Sequence, residues 1–371
     1  MLPRILVTSA AGHIGRHTVE LLLDAGFPVR AFVRCKDVRS DDMARRGAEI
    51  FVGNLNDFRD LTRALDGVKR AFHIPPFAPH LLHNTMLMCL AAQEARLDAL
   101  VLLSVFNPSP EHPSLISREH WIANNIARWI PDVDVIHLNP GIFAFPYLLT
   151  MPVTRRLGVL PLPFGDGRNA PVSERDIARC GAALLKDPAP FVGTSWRPTG
   201  PELLTAADIA AVLTDVLARG VRYQPTSFKM FAKAARAMGS PDYDTYNLRH
   251  YAKEISSGAF AISAPTDHVT RLTGAPAESF GDTAARYVRD VARLAPNLRD
   301  ISTLGAIAFM AWMLLTLPQK YTDLKARDGA AHLTAPLLAH QNPTWRKAAQ
   351  EQRLLLLNGP NRFPSSHQRS A

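Results

Sequence analysis

Along the first half of the chain, short apolar runs rich in branched residues alternate with longer stretches whose apolar residues recur every three or four positions. The runs predict strands buried on both faces, and the periodic stretches predict helices with one buried side. The first run, residues 4–8, leads into a turn of small residues, Ser9-Ala10-Ala11-Gly12-His13-Ile14-Gly15. A helix follows that gathers Ile14, Val19, Leu22 and Leu23 on one side and stops at Gly26. Residues 28–33 form a second strand and complete a βαβ unit of about 30 residues. The same alternation predicts strands at 48–52, 70–74, 99–105 and 133–138. Helices are expected at 42–46, from a cap at Asp57 to Leu65, at 80–95 and at 117–130. Met86 and Met88 read as core packing rather than as ligands. Strand–helix alternation at this spacing makes an α/β fold with a doubly wound parallel sheet, whose ligand crevice lies beyond the carboxyl ends of its strands.

The first turn carries the candidate chemistry. A strand, a small-residue turn and a helix N-terminus together let backbone N–H groups and the positive end of a helix dipole meet a pyrophosphate. Gly12 and Gly15 supply two glycines, and Ser9 stands where a third would be. Ser9, Ala11, Gly12, His13, Ile14 and Gly15 are therefore candidate cofactor contacts. The second strand ends in Arg34-Cys35-Lys36, with Asp37 only after both cations. An NAD site usually places a carboxylate here for the ribose 2′-hydroxyl. Arg34 and Lys36 instead suit a 2′-phosphate, so NADP(H) is the expected cofactor. A reading of both cations as solvated loop charges stays open. The other strand ends add Asn54 and Leu55, Ile74 and Pro75, Ser104, and Pro140, Gly141 and Phe143 as candidate contacts.

At 371 residues, 47% hydrophobic and 20% charged, the chain is long enough for a full core and reads as globular. Its first 30 residues carry charges throughout and lack the apolar core of a signal peptide, so a cytoplasmic location is expected. Cys35, Cys89 and Cys180 lie far apart without metal-ligand spacing and read as free thiols of a reducing compartment. A formal charge of +9 raises nucleic acid as a partner. Yet the basic residues are dispersed, no helix-turn-helix or zinc signature is present, and nine Lys and Arg against four acids follow Pro296. An anionic cofactor and a basic C-terminal segment account for the balance, so no nucleic acid is expected.

The segments TSAAGHIG, AFVR, GNLND, LLSVF, LNPGIF, FGDGRNAPVSERDIA and TGPELLTAADIAAVL, in this order, resemble the NmrA-like branch of atypical short-chain dehydrogenases/reductases. The resemblance covers residues 2–295. It implies a Rossmann domain with a small, discontinuous C-terminal substrate lobe. The expected division is an NADP-binding core at 1–155, remaining sheet elements and the lobe at 156–296, and a mostly helical extension with a disordered tail at 297–371. It further implies an NADPH-dependent reductase of a small apolar organic molecule, of quinone, enone or imine type. Two other readings stay open: a non-catalytic sensor of the NADP redox state, and a lyase or cyclase that keeps the pocket without hydride transfer. In the family, residues 228–261 lie over the nicotinamide, so Met230, Met238, Tyr243, Tyr246 and Tyr251 are expected to shape the substrate pocket; core packing explains the aromatics nearly as well. Gly165-Asp166-Gly167 reads as a turn, and Ser173 with Asp176 and Thr205 with Asp208 read as helix caps without chemistry.

Reductases of this superfamily commonly place Tyr and Lys four residues apart on the helix after the fifth strand. That helix here, ISREHWIANNIARW, has neither. The one such pair, Tyr321 and Lys325, falls in the extension and reads as coincidence. His120 is then the candidate proton donor, since an ordinary imidazole pKa near 6.5 suits neutral pH. Ser104 is the candidate catalytic partner or ribose contact, and a merely ribose-contacting or surface His120 stays open. Residues 303–317 are an uncharged run, shorter than the roughly 20 residues that span a bilayer. They are expected to form a buried helix packed on the domain or on a second copy in a homodimer; membrane contact is open but not favoured. Residues 345–357 read as an amphipathic helix, and 360–371 as a disordered tail.

Overall fold

All six strands expected from the apolar runs form: β1 Ile5–Val7, β2 Val29–Val33, β3 Glu49–Val52, β4 Arg70–His73, β5 Ala99–Leu103 and β6 Asp134–Leu138. The computed structural model describes residues 2–237, 240–294, 301–316 and 337–351. Every residue of β1, β2, β5 and β6 is buried, which is why β1 and β5 read as unbroken apolar runs and why β2 and β6 depart from one only at Arg30, Asp134 and His137. Three further strands are β7 Val159–Leu162, β8 Ser195–Trp196 and β9 Arg222–Pro225. Seven strands pair in parallel in the order β3-β2-β1-β4-β5-β6-β8, while β7 and β9 form a separate parallel pair. The chain reverses its direction of travel across the sheet between β1 and β4, and the crevice at such a switch point is where doubly wound folds bind dinucleotides.

The helices of the first half are α1 His13–Asp24, α2 Val38–Arg45, α3 Phe58–Leu65, α4 Leu81–Glu94 and α5 Leu115–Ala127. Met88 of α4 is fully buried, as core packing requires. Helix α2 starts four residues before the expected 42, because Asp37 caps it. The Asp37 carboxylate accepts from the Arg39 and Ser40 backbone N–H groups, and Ser40 Oγ accepts from the Asp37 N–H. Helix α5 likewise begins at Leu115, behind an extended Ser114.

The second half supplies α6 Phe145–Leu148, α7 Met151–Leu157, α8 Glu174–Lys186, α9 Ala206–Leu217, α10 Phe228–Ala237, α11 Asp242–Ser256, α12 His268–Thr273 and α13 Phe280–Leu294. Both expected caps are present. Ser173 Oγ accepts from Asp176 N–H at 3.0 Å, and Thr205 with Asp208 closes a capping box. Asp176 also receives the Glu278 N–H at 2.6 Å and pairs with Arg179 at 2.6 Å, so this cap ties α8 to the chain entering α13. A second apolar cluster, with Tyr147, Phe164, Phe231, Tyr251 and Phe260, fills the lobe. The turn at 165–167 enters it closely: a β-carbon on Gly167 would stand 2.1 Å from the Ile255 carbonyl oxygen.

The extension contributes α14 Thr303–Leu315 and α15 Pro343–Gln350. The expectation that the domain by itself buries a helix at 303–317 needs correction. Only Ala306 and Met313 of α14 are buried, whereas Leu304, Leu314 and Leu315 are 79%, 74% and 85% exposed. A helix apolar on every side buries only the edge that meets its neighbours, here α7 and α10. Polar clamps hold both its ends. Arg156 Nε donates to Ile301 O at 2.8 Å, and Lys233 Nζ donates to Met313 O at 2.9 Å and Thr316 O at 2.5 Å. No helix among the described residues is long and apolar enough to cross a membrane. Met238, Tyr321, Lys325 and residues 352–371, with the expected tail, lie outside the described residues.

A cation on the last carbonyls of a helix contributes about 1 kcal/mol. Lys233→Met should therefore loosen α14, raising amide exchange across 303–315 about fivefold while exchange in β1, β4 and β5 stays unchanged. Hydrogen–deuterium exchange read by mass spectrometry checks this; unchanged exchange in α14 would show that its apolar edge alone holds it.

Candidate active site

The turn after β1 is pinned before it meets any ligand. Thr8 N–H donates to Phe72 O at 3.0 Å, Thr8 Oγ1 accepts from Ile74 N–H at 2.8 Å, and Ser9 Oγ donates to Ile74 O at 2.7 Å. Ser9 takes a left-handed φ of 49°, which swings the chain into α1. Gly15 sits so close below that a β-carbon there would stand 2.4 Å from Ser9 O and 2.8 Å from Ala10 Cα. Gly12 occupies the N-cap with no side-chain cap, which leaves the first-turn amides of α1 to a ligand.

Beside this turn opens a cavity of about 380 Å³. Its walls include Ser9, Ala11, Gly12, Arg34, Asn54 and Leu55 from the expected set, together with Arg39, Gly53, Pro76 and Asn84. Arg34 is exposed and makes no hydrogen bond or ion pair among the described residues. Arg39 donates from Nη1 to Ala11 O at 3.1 Å and grips Asp37 at 2.5 Å. The Arg39 side chain and the capping amides hold the Asp37 carboxyl below the usual carboxylate range. The one carboxylate in this stretch is thus committed to a cap and a cation, and is not free for a ribose hydroxyl. Lys36 is exposed and is not among the cavity walls. Arg39 was missed by sequence reasoning; the Asp37–Ser40 cap was the signal that would have put it in the first turn of α2.

The remaining candidates fall at the carboxyl ends of β4, β5 and β6. The Ile74 backbone is already spent on Thr8 and Ser9, and its side chain is buried; Pro75 follows it. Gly141 N–H donates to Pro198 O at 3.0 Å, Phe143 pairs with Val172, and the His13 ring lies 5.6 Å from that of Phe145. Ser104 and His120 do come together: Ser104 Oγ lies 3.4 Å from His120 Nδ1, both buried. His73, at the end of β4, lies between Thr8 Oγ1 and Thr85 Oγ1, each at 3.3 Å.

The protonation expected of His120 is not what its surroundings allow. Burial, with a smaller contribution from His73, pushes its imidazole down to about 3. Burial likewise pushes His73 and His137 down to about 3. At neutral pH His120 is a neutral ring able to donate or accept a hydrogen bond, not an imidazolium acid. Among the described residues no group of His, Cys, Asp and Glu could hold a metal ion. Cys89 is buried, which pushes its thiol up to about 12, so it is inert.

A tight glycine turn at the switch point of a parallel sheet, with a second lobe over the strand ends, defines a dinucleotide-binding Rossmann protein. The chain belongs to the NmrA-like family, whose family model matches residues 1–264. It is 28% identical over 291 residues to the NAD(P)H azoreductase of Xenophilus azovorans, covering 76% of this chain and 97% of that protein. It is 32% identical over 288 residues to a (4-alkanoyl-5-oxo-2,5-dihydrofuran-3-yl)methyl phosphate reductase of Streptomyces griseus, again covering 76% of this chain and 97% of the relative. Among solved structures, the Escherichia coli NADPH-dependent quinone oxidoreductase complexed with NADPH superposes with a TM-score of 0.66 at 22% identity, over 76% of this chain and 99% of that one.

The buried imidazoles make a pH prediction. The unfolded chain binds protons on His73, His120 and His137 below pH 6.5, whereas the folded protein does so only near 3. Between these limits the unfolded state holds more protons, so stability rises with pH and is lost as pH falls from 6.5 toward 3. Each histidine should remove roughly 1 kcal/mol between pH 6.5 and 5.5. Urea midpoints across that range test this; a flat profile would mean that these rings are charged in the folded protein.

Proposed function

We propose that this chain is an NADPH-dependent reductase of a small apolar organic molecule, of quinone, enone or imine type, working without a Tyr-x-x-x-Lys pair. The observation that carries the reading is the cavity beside the Gly12–Gly15 turn, with Arg34 and Arg39 in its wall and Asp37 already engaged. These residues fit NADP(H): position 15 tolerates no side chain, the α1 amides are uncapped, and the Arg34 guanidinium, left over once Arg39 is spent on Asp37, suits a 2′-phosphate. The named activities of the azoreductase and phosphate reductase relatives, and the NADPH in the quinone oxidoreductase structure, support it. When bound, the dinucleotide supplies hydride from its nicotinamide ring.

The chain's own residues bind, orient and exclude water. The α1 N-terminus balances pyrophosphate charge, and Arg34 forks onto the 2′-phosphate. Ser104, backed by the neutral His120, offers a hydrogen bond to the acceptor atom of the substrate. A neutral imidazole in this role stabilises a developing anion without giving up a full proton. Acceptors whose reduced anion is already stable, quinones first among them, suit a site without a strong acid. A second reading, a sensor of the NADP redox state, is favoured by that same missing acid; turnover separates the two.

Loss of a charge-assisted phosphate contact costs on the order of 1.5–3 kcal/mol. Arg34→Ala should weaken NADPH binding tenfold or more while leaving NADH nearly unchanged, as calorimetry with both cofactors would show. Equal weakening of both would remove Arg34 from the 2′-phosphate.

A lone hydrogen-bond donor to the acceptor atom predicts that Ser104→Ala lowers kcat about 100-fold with NADPH binding intact. Because His120 stays neutral, the kcat profile with a quinone should be flat from pH 6 to 8. A group titrating near 6.5 in that profile would restore His120 as a cationic acid, and absence of turnover in the unaltered protein would favour the sensor.

A further inference from the structure

Residues 337–351 lie along the loop that joins β5 to α5. Leu337 N–H donates to Glu111 O at 2.8 Å, and Asn342 Nδ2 donates to Glu111 Oε2 at 3.2 Å. His340 Nδ1 stands 4.0 Å from Oε1 of the buried Glu254, whose Oε2 receives Asn107 Nδ2 at 2.6 Å. Trp345 is 2% exposed and meets the Phe106 ring edge-on at 5.0 Å. The Arg197 guanidinium stacks on the same ring, 3.3 Å from its centroid. Phe106 follows Ser104 by two residues, so the strap grips the chain just past the candidate catalytic hydroxyl.

The same apolar cluster holds Trp345, Phe106, Ile142 (between Gly141 and Phe143) and Tyr251 of α11. Trp345 therefore packs on Phe106 just beyond the carboxyl end of β5, on the side of the sheet where a substrate of the proposed reductase has to lie. The family match ends at residue 264, and the relatives spend 97% of their own length on 76% of this chain. The strap lies beyond that match. We propose that residues 337–351 are an added wall of the substrate pocket and that Trp345 limits the acceptor to a compact, flat, uncharged ring system. The inference rests on the reductase reading of the same site.

The test uses the full-length protein, Trp345→Ala and Trp345→Phe, with NADPH and three quinones of rising size: benzoquinone, naphthoquinone and phenanthrenequinone. Trp345→Ala should raise kcat/KM for phenanthrenequinone at least tenfold relative to benzoquinone, with the KM for NADPH unchanged. Trp345→Phe, which keeps an aromatic plug, should shift the ratio the same way by a smaller factor and covers an alanine variant that does not fold. Equal changes for all three quinones, or no change, would overturn the wall. Amide exchange across 106–114, read without substrate, should accelerate in Trp345→Ala; unchanged exchange would overturn the strap's grip on the loop. If the unaltered protein reduces none of the quinones, the reductase reading fails by itself. Calorimetry of the three quinones then decides the wall: a size preference relaxed by Trp345→Ala keeps it, and an unaltered preference or no binding overturns it.

Discussion

Residue 15 can carry no side chain, because a β-carbon there would overlap the Ser9 carbonyl oxygen and the Ala10 backbone. That closeness sets α1 directly beyond β1, and Ser9 reaches it only through a left-handed turn. The turn is held from the β4 side by Ile74, whose N–H and C=O are taken by Thr8 and Ser9. The end of α1 is therefore built into the switch point between β1 and β4. Arg34 leaves the end of β2 on one side of that point, and Ser104 leaves the end of β5 on the other. The separation of Arg34 from Ser104 is thus set by one glycine contact and the strand spacing.

What the sequence revealed, and what it hid, follows from where each signal resides. Parallel strands buried on both faces leave nearly continuous apolar runs, so β1, β2, β5 and β6 and the helices between them were legible; the more exposed edge strand β3 was legible from Ile50-Phe51-Val52 alone. The glycine turn was legible because its requirement is local. Helix α2 was not placed well, since VRSDDMAR has no apolar stripe and its start depends on the Asp37 cap. Arg39 was lost with it. The protonation of His120 could not be read at all: an imidazole's pKa depends on burial among β4, β5 and α5, which no neighbour in the chain announces. Helix α14 misled for the opposite reason, because uniform apolarity says nothing of how much of a helix will be covered.

Cofactor choice turns on Asp37 more than on Arg34. A carboxylate two residues past a basic pair leaves the preference ambiguous, since it could serve a ribose hydroxyl. In the folded chain its Oδ1 accepts the Arg39 and Ser40 amides, and its Oδ2 accepts Nε and Nη2 of Arg39 at 3.0 and 2.5 Å. All of its lone-pair directions are spoken for, and its charge is offset in place by Arg39. Of the two guanidinium groups in the cavity wall, Arg34 is then the one left without a carboxylate partner among the described residues, and the proposed 2′-phosphate contact rests on it.

Three buried carboxylates then hold the second lobe to the first, each joining segments distant in the chain. Asp176 receives the Glu278 amide, Glu174 accepts from Tyr287 Oη at 3.3 Å, and Glu254 receives Asn107 Nδ2 and faces His112 Nε2 at 3.2 Å. Burial alone would raise Glu254, yet His112 and His340 outweigh it and keep the carboxyl below its ordinary value. A buried carboxylate that loses its partner costs several kcal/mol, so such ties tolerate few alternative geometries. Apolar contacts between the lobes could slide; these cannot without leaving a buried polar group unpaired. The seating of the second lobe is therefore set less by the apolar packing of either lobe than by the polar ties that cross between them.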